Sequence, residues 1–211
     1  ELPHITSVVN SSDNSTVYVT FNEDVYNTNN GNGILEISDF NLSLSGGSAN
    51  LTSNVPTSIS FDGSFYTLGI SISGVSNGTE ILTVELVENS VFDIDGNIAL
   101  SNISSINNAV VLNDITPPTV VLVAEGENDS VIQNGSTTNN ESLYLSFTCS
   151  EPTSDFTSAD VLVSGGLISS FSGSDSIYMA ILTPSSDGLV TLDIAEGAFE
   201  DAAGNGNSDL D

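Results

Sequence analysis

Carboxylates, hydroxyls and one imidazole make up nearly all the side-chain chemistry available here: 28 Asp plus Glu, one His, and no Lys or Arg. Without a basic side chain there is no P-loop lysine and no arginine clamp, and nothing neutralises a phosphate backbone, so nucleic-acid binding is excluded. Glycoside hydrolysis needs only two carboxylates at the right separation, so acidity alone leaves it open. No Ser-His-Asp order and no His-Glu-x-x-His spacing is present. His4 follows Pro3 without a His or Cys partner, and the acidic residues fall mainly in turns or on polar strand faces. No catalytic residue is assigned, and the chain is read as not an enzyme.

Hard-cation chemistry is the better match to these residue types. Asp93-Ile94-Asp95-Gly96-Asn97 and Asp201-Ala202-Ala203-Gly204-Asn205 gather carboxylate, amide and backbone oxygens at tight turns, as calcium requires. Asp93, Asp95, Asn97, Asp201 and Asn205 are therefore candidate ligands, with Glu23 beside Asp24, the linker Asp114, and Glu151 adding carboxylates at loop ends. Asp and Asn also build Asx turns in which Gly supplies a positive φ, and the spacing is not that of an EF-hand. Both readings stand at this level.

Nine Asn-x-Ser/Thr positions offer a second kind of modification chemistry: Asn10, Asn14, Asn41, Asn50, Asn77, Asn102, Asn128, Asn134 and Asn140. Glycosylation there is conditional on a host that performs it. The single cysteine, Cys149, has no intramolecular disulfide partner and falls in step with Leu143, Leu145 and Phe147, so it reads as a buried apolar residue.

The elements that must position these groups are strands. Val17, Val19 and Phe21 alternate with Thr16, Tyr18 and Thr20, and Leu82, Val84 and Leu86 alternate with Thr83 and Glu85. Gly, Asn, Asp and Ser clusters punctuate such runs at short intervals, the pattern of an antiparallel sandwich, so the fold class is all-β. The net charge of −28 comes with 38% hydrophobic and only 13% charged residues, which separates the chain from acidic disordered tails. No apolar run is long enough for a membrane span, and Glu1 in place of Met points to a processed or excised product.

Laid over itself, the chain of 211 residues is duplicated. Val17 to Phe21 matches Leu143 to Phe147, Ser45-Gly46-Gly47 matches Ser164-Gly165-Gly166, and Tyr66 matches Tyr178. Ile81 to Asn97 then matches Leu189 to Asn205 without a gap. Asp114-Ile115-Thr116-Pro117-Pro118 lies between the copies as a short stiff linker, because paired prolines restrict the backbone. Two tandem β-sandwiches, residues 1–115 and 116–211, are expected to form a rod.

The runs TVYVTFNEDVY, SDFNLSLSGG, VFDIDGN, TPPTV and LTPSSDGLVTLDIAEGAFEDAAGNGN resemble the bacterial Ig-like repeats of large surface proteins, which occur in adhesins, biofilm proteins and motility-linked surface proteins. That resemblance covers nearly the whole chain. It implies an extracellular, cell-surface setting, a role as stalk, spacer or fibre unit, and in some members calcium at the joints.

One difference between the copies remains. After Asn97 the first continues into the apolar strand Asn108-Ala109-Val110-Val111-Leu112, whereas after Asn205 only Gly206 to Asp211 follow. The second sandwich is therefore expected to lack its last strand and to take one from a neighbour, with Leu2, Ile5 and Val8 as donor residues. The expected function is a non-catalytic subunit of an extracellular filament or surface fibre, whose partners are other copies of itself joined head to tail. The alternative is a calcium-stiffened stalk or ligand-binding module of a surface adhesin.

Overall fold

The computed structural model describes residues 1–100 and 107–210, which fall into two compact units, Glu1–Ile115 and Thr116–Asp211. In the first unit, one antiparallel sheet runs in the order β1 (Ile5–Asn10), β2 (Thr16–Phe21), β6 (Tyr66–Gly69) and β5 (Ser58–Phe61). The opposing sheet sets β8 (Ile81–Leu86) between β3 (Phe40–Ser45) and β9 (Ala109–Val111). A short ribbon of β4 (Asn50–Leu51) and β7 (Ile72–Ser73) completes it.

The alternation seen in the sequence becomes an inside and an outside. Val17 and Val19 of β2 are wholly buried while Tyr18 and Thr20 between them remain partly exposed. Leu82 and Val84 of β8 bury the same way from the opposite sheet, with Phe40, Leu42, Leu68 and Leu112 filling the space between. Each such side chain contributes roughly 1.5–3 kcal/mol relative to remaining in water.

The second unit pairs β11 (Val131–Ile132), β10 (Val120–Glu125), β12 (Leu143–Thr153) and β14 (Gly166–Pro184) in that order. Its other sheet is β13 (Leu162–Ser164) against β15 (Thr191–Asp193). Leu143, Leu145, Phe147 and Cys149 all point inward from β12, and burial pushes the Cys149 thiol above its usual pKa, away from reactivity. Phe156 packs against the rings of Phe147, Phe171, Tyr178 and Phe199.

The Ser-Gly-Gly turns that follow β3 and β13 have one steric reason. Gly46 has φ +80° and a Cβ there would sit 2.5 Å from the Thr79 carbonyl oxygen, and Gly165 has φ +78° with the Leu189 carbonyl oxygen 2.3 Å away. Apart from strands, the described residues hold two single 3-10 turns, Ile37–Asp39 and Glu127–Asp129. No helix among them is long and apolar enough to cross a membrane.

Candidate functional site

Where the first unit has three strands in its second sheet, the second has two. In the first, β9 covers the outer edge of β8, with Leu82 opposite Val110 and Ile81 opposite Val111. The Val84 N–H donates to the Asn108 carbonyl at 2.8 Å, and the Leu112 N–H to the Glu80 carbonyl at 2.9 Å. Leu82 and Val84 are accordingly 0% exposed.

The sequence match sets Val190 and Leu192 against Leu82 and Val84, but the register shifts this by two residues: Leu192 opposes Val163 of β13 as Leu82 opposes Leu44 of β3, so Leu192 and Ile194 are the structural counterparts. Ile194 is 0% exposed, Leu192 is only partly buried, and Leu189, just before the strand, is 82% exposed. Among the described residues no strand pairs with the outer edge of β15. Only the Leu210 N–H reaches it, donating to the Ile194 carbonyl at 3.1 Å. An edge without a paired strand and with Leu192 incompletely covered is a template for strand addition.

The two Asp-turns have matching hydrogen bonds. Asp93 Oδ1 accepts the N–H groups of Asp95 and Asn97 at 2.9 and 2.8 Å, and Oδ2 accepts the Asn97 amide at 2.8 Å. Asp201 Oδ1 accepts Ala203 and Asn205 N–H at 2.8 and 2.9 Å, and Oδ2 the Asn205 amide at 2.9 Å. The amide of Asn97 is the main cause holding the Asp93 carboxyl below its usual pKa. At Asp201 burial works upward, and the Asn205 and turn N–H groups outweigh it. Asp93 and Asn97 thus serve first as a self-contained Asx turn, with Asp95 exposed beside it.

Of the remaining candidate ligands, the second unit brings Glu151 and Asp201 together, their carboxylate oxygens within 4.8 Å. Asp201 nevertheless spends its oxygens on the same kind of turn as Asp93, so Glu151 is the added carboxylate there. In the first unit, Asp114 forms an isolated antiparallel bridge with Asn77. Glu23 and Asp24 line a separate cleft with Tyr26 and Tyr66. His4 Nδ1 lies 3.0 Å from the Leu2 carbonyl, and its N–H donates to Asn22 Oδ1 at 2.7 Å, a local turn with no nucleophile beside it.

Two expectations are corrected. Ile5 and Val8 are buried in the core of their own unit and β1 pairs with β2 there, so these residues are committed at home and leave only Leu2 exposed. Asn14 is not a glycan acceptor: it is buried, its amide nitrogen donates to Ser76 Oγ and the Asn113 carbonyl, both at 2.8 Å, and its oxygen accepts the Asn113 N–H at 2.9 Å.

Among the other sequons Asn50, Asn77 and Asn134 are exposed, and Asn10, Asn41 and Asn140 partly so. Asn77 Oδ1 accepts the Thr79 hydroxyl at 2.6 Å. Asn128 lies in the turn Glu127–Asp129, and Asn102 lies outside the described residues.

Sequence reading missed Glu80, which is 0% exposed. Its Oε1 accepts the N–H groups of Ser48 and Ala49 at 2.8 and 3.1 Å, and Oε2 that of Asn77 at 3.0 Å. Burial alone would raise its pKa, but these donors hold it below the ordinary glutamate value. The signal was its parity: Glu80 precedes Leu82, Val84 and Leu86 on the inward face of the same run.

No curated protein matches the chain. Among solved structures it is similar to the N-terminal part of the bacterial S-layer protein SbsC, at 16% identity and a TM-score of 0.37, over 71% of this chain and 41% of that one. The chain thus spans less than half the length of that structure. Residues 114–211 match the family model described as a bacterial Ig-like domain. The antiparallel sheets of the second unit and the match over residues 114–211 are consistent with a bacterial Ig-like repeat.

Proposed function

We propose that the chain is a non-catalytic structural module of an extracellular surface fibre, completed by a β-strand added along β15. The observation that carries this reading is the contrast between Leu82, wholly buried under β9, and its counterpart Leu192, partly exposed on a strand whose outer edge no described strand covers. A strand donated by another copy makes assembly head-to-tail and open-ended. Because β1 is paired at home, the donor is an apolar segment that resembles Ala109 to Leu112 rather than Leu2 to Val8. Extracellular exposure agrees with a chain that offers trypsin no Lys or Arg. Antibody labelling of native surface material under negative stain tests this reading. Label repeated along fibres is expected, and label confined to dispersed single particles would contradict it.

A second reading, a calcium-stiffened stalk, is favoured by the approach of Glu151 and Asp201. Two carboxylates held within 4.8 Å repel each other until a cation neutralises them. Calcium should then raise the thermal midpoint relative to EGTA, and Glu151→Gln should shrink the difference. Equal midpoints in the wild-type chain would remove this reading.

A further inference from the structure

A cleft of about 380 Å³ opens in the first unit between the loop that follows β2 and the turn joining β5 to β6. Tyr66 lies against it with its hydroxyl 3.5 Å from the Val25 carbonyl. Phe61 stacks on Tyr66 at a centroid distance of 4.5 Å, and Phe21 meets Tyr66 edge-on at 5.8 Å. Two of the lining side chains are large, apolar and left in water: Phe61 is 55% exposed and Ile34 80%. Glu23 and Asp24 also line it, and the Asn22 amide donates to Glu23 Oε1 at 3.1 Å.

The second unit stacks Phe171 on Tyr178 in the same way, at a centroid distance of 5.8 Å, but its surroundings differ. The Thr157 N–H donates to Asp160 Oδ2 at 2.7 Å, as the Glu36 N–H does to Asp39 Oδ2 at 2.7 Å, so Phe156 and Leu35 occupy equivalent places one residue earlier. Phe156 packs against the rings of Tyr178 and Phe171, and the first unit has the smaller, non-aromatic Leu35 at that place.

Exposed aromatic and aliphatic surface beside paired carboxylates is chemistry for a cation that carries carbon. A bare metal ion would use the oxygens and leave Phe61 and Ile34 in water. An anion is repelled by Glu23 and Asp24. An alkylammonium group satisfies both, its charge against the carboxylates and the rings and its carbons against the apolar walls. The chain has no Lys or Arg of its own to occupy the cleft, and a net charge of −28 gathers cations around it. We propose that this cleft binds an alkylammonium group, carried either by a small quaternary amine or by a lysine side chain of another protein. The proposal concerns the first unit alone and is independent of strand addition at β15.

Amide-resolved NMR titration of the full chain at constant ionic strength tests it, with tetramethylammonium, N-acetyl-lysine methylamide and the neutral tert-butanol as probes. Saturable shifts confined to residues 22–26 and 61–66 are expected with at least one of the two cations and not with tert-butanol. Which cation binds more tightly identifies the source. Phe61→Ala should weaken binding roughly two- to fivefold. Asp24→Asn changes an exposed carboxylate without altering packing and should weaken it comparably, so a fold defect in the first variant cannot mask the result. Shifts that stay linear for both cations, equal binding of tert-butanol, or unchanged affinity in Asp24→Asn and Phe61→Ala would overturn the proposal.

Discussion

Leu82 in the first unit and Leu192 in the second stand at the same place in matching strands, yet only Leu82 is shut away from water. The difference lies outside the strand itself. In the first unit β9 returns to cover the edge, and the Leu112 N–H closes onto the carbonyl of Glu80. The Glu80 carboxylate ties the turn after β3 to Asn77, so latch and closing strand meet at one residue. The second unit has Val190 at the position of Glu80, against the matching turn glycine, and lacks both latch and closing strand among its described residues. A sandwich edge is thus finished by a distant segment, and the duplicated strand alone does not finish it.

Undoing the closure in the first unit should have the largest effect on this contrast. Leu112→Ala removes a wholly buried side chain at the end of β9 and should cost roughly 2–5 kcal/mol, read from denaturant unfolding. Leu210→Ala in the second unit, where the side chain is only partly buried, should cost less than half of that. Equal losses would break the comparison.

The latch comes next. Glu80→Gln keeps the shape but exchanges a charged acceptor for an amide, with an expected loss of about 1.5–3 kcal/mol. Because the folded pKa of Glu80 is lowered, as are those of Asp93 and Asp201, the stability they supply is present above their unfolded pKa values. It is lost as pH falls through the folded values. Burial raises the pKa of Asp39, which works in the opposite direction, favouring the folded state on acidification. Unfolding free energy measured across acidic pH should therefore fall toward low pH, and Glu80→Gln should flatten that fall. A variant with the wild-type slope would show that Glu80 is not a charged latch.

A smaller effect separates the paired tyrosines. The Tyr178 hydroxyl donates to the Thr153 carbonyl at 2.7 Å, whereas Tyr66 reaches Val25 at only 3.5 Å. Tyr178→Phe should cost about 1 kcal/mol and Tyr66→Phe clearly less, since hydrogen bonds weaken with distance. The reverse order would mean that the aromatic environment, and not the hydroxyl, distinguishes the two.

Much of the fold was legible because alternation reports directly on which side of a sheet a residue faces. Val17, Val19, Leu145 and Cys149 are inward where their spacing placed them. The match of Ile81 to Asn97 with Leu189 to Asn205 identified the strand whose outer edge differs, but its gapless form failed: the turns of Asp93 and Asp201 agree, while in the strand Thr191, not Leu189, takes the place of Ile81. Asn14 was misread because a sequon reports local sequence, while its burial depends on Ser76 and Asn113 far along the chain. Leu2, Ile5 and Val8 were misread as donors because an apolar alternating segment has the same appearance whether it pairs at home or abroad. The Phe61 and Glu23 cleft could not be read at all, since it is assembled from two loops whose closeness only the sheet order of β2, β6 and β5 creates.

The central claim, that the edge of β15 accepts a strand, is tested most directly by hydrogen exchange at the Leu192 amide. Its counterpart Leu82 pairs with Val110 of β9 and should exchange slowly. In the monodisperse chain Leu192 should exchange fast and become protected when a peptide with the sequence of residues 107–113 is added or when the chain assembles. Slow exchange at Leu192 in the monomer without any added strand would contradict the account.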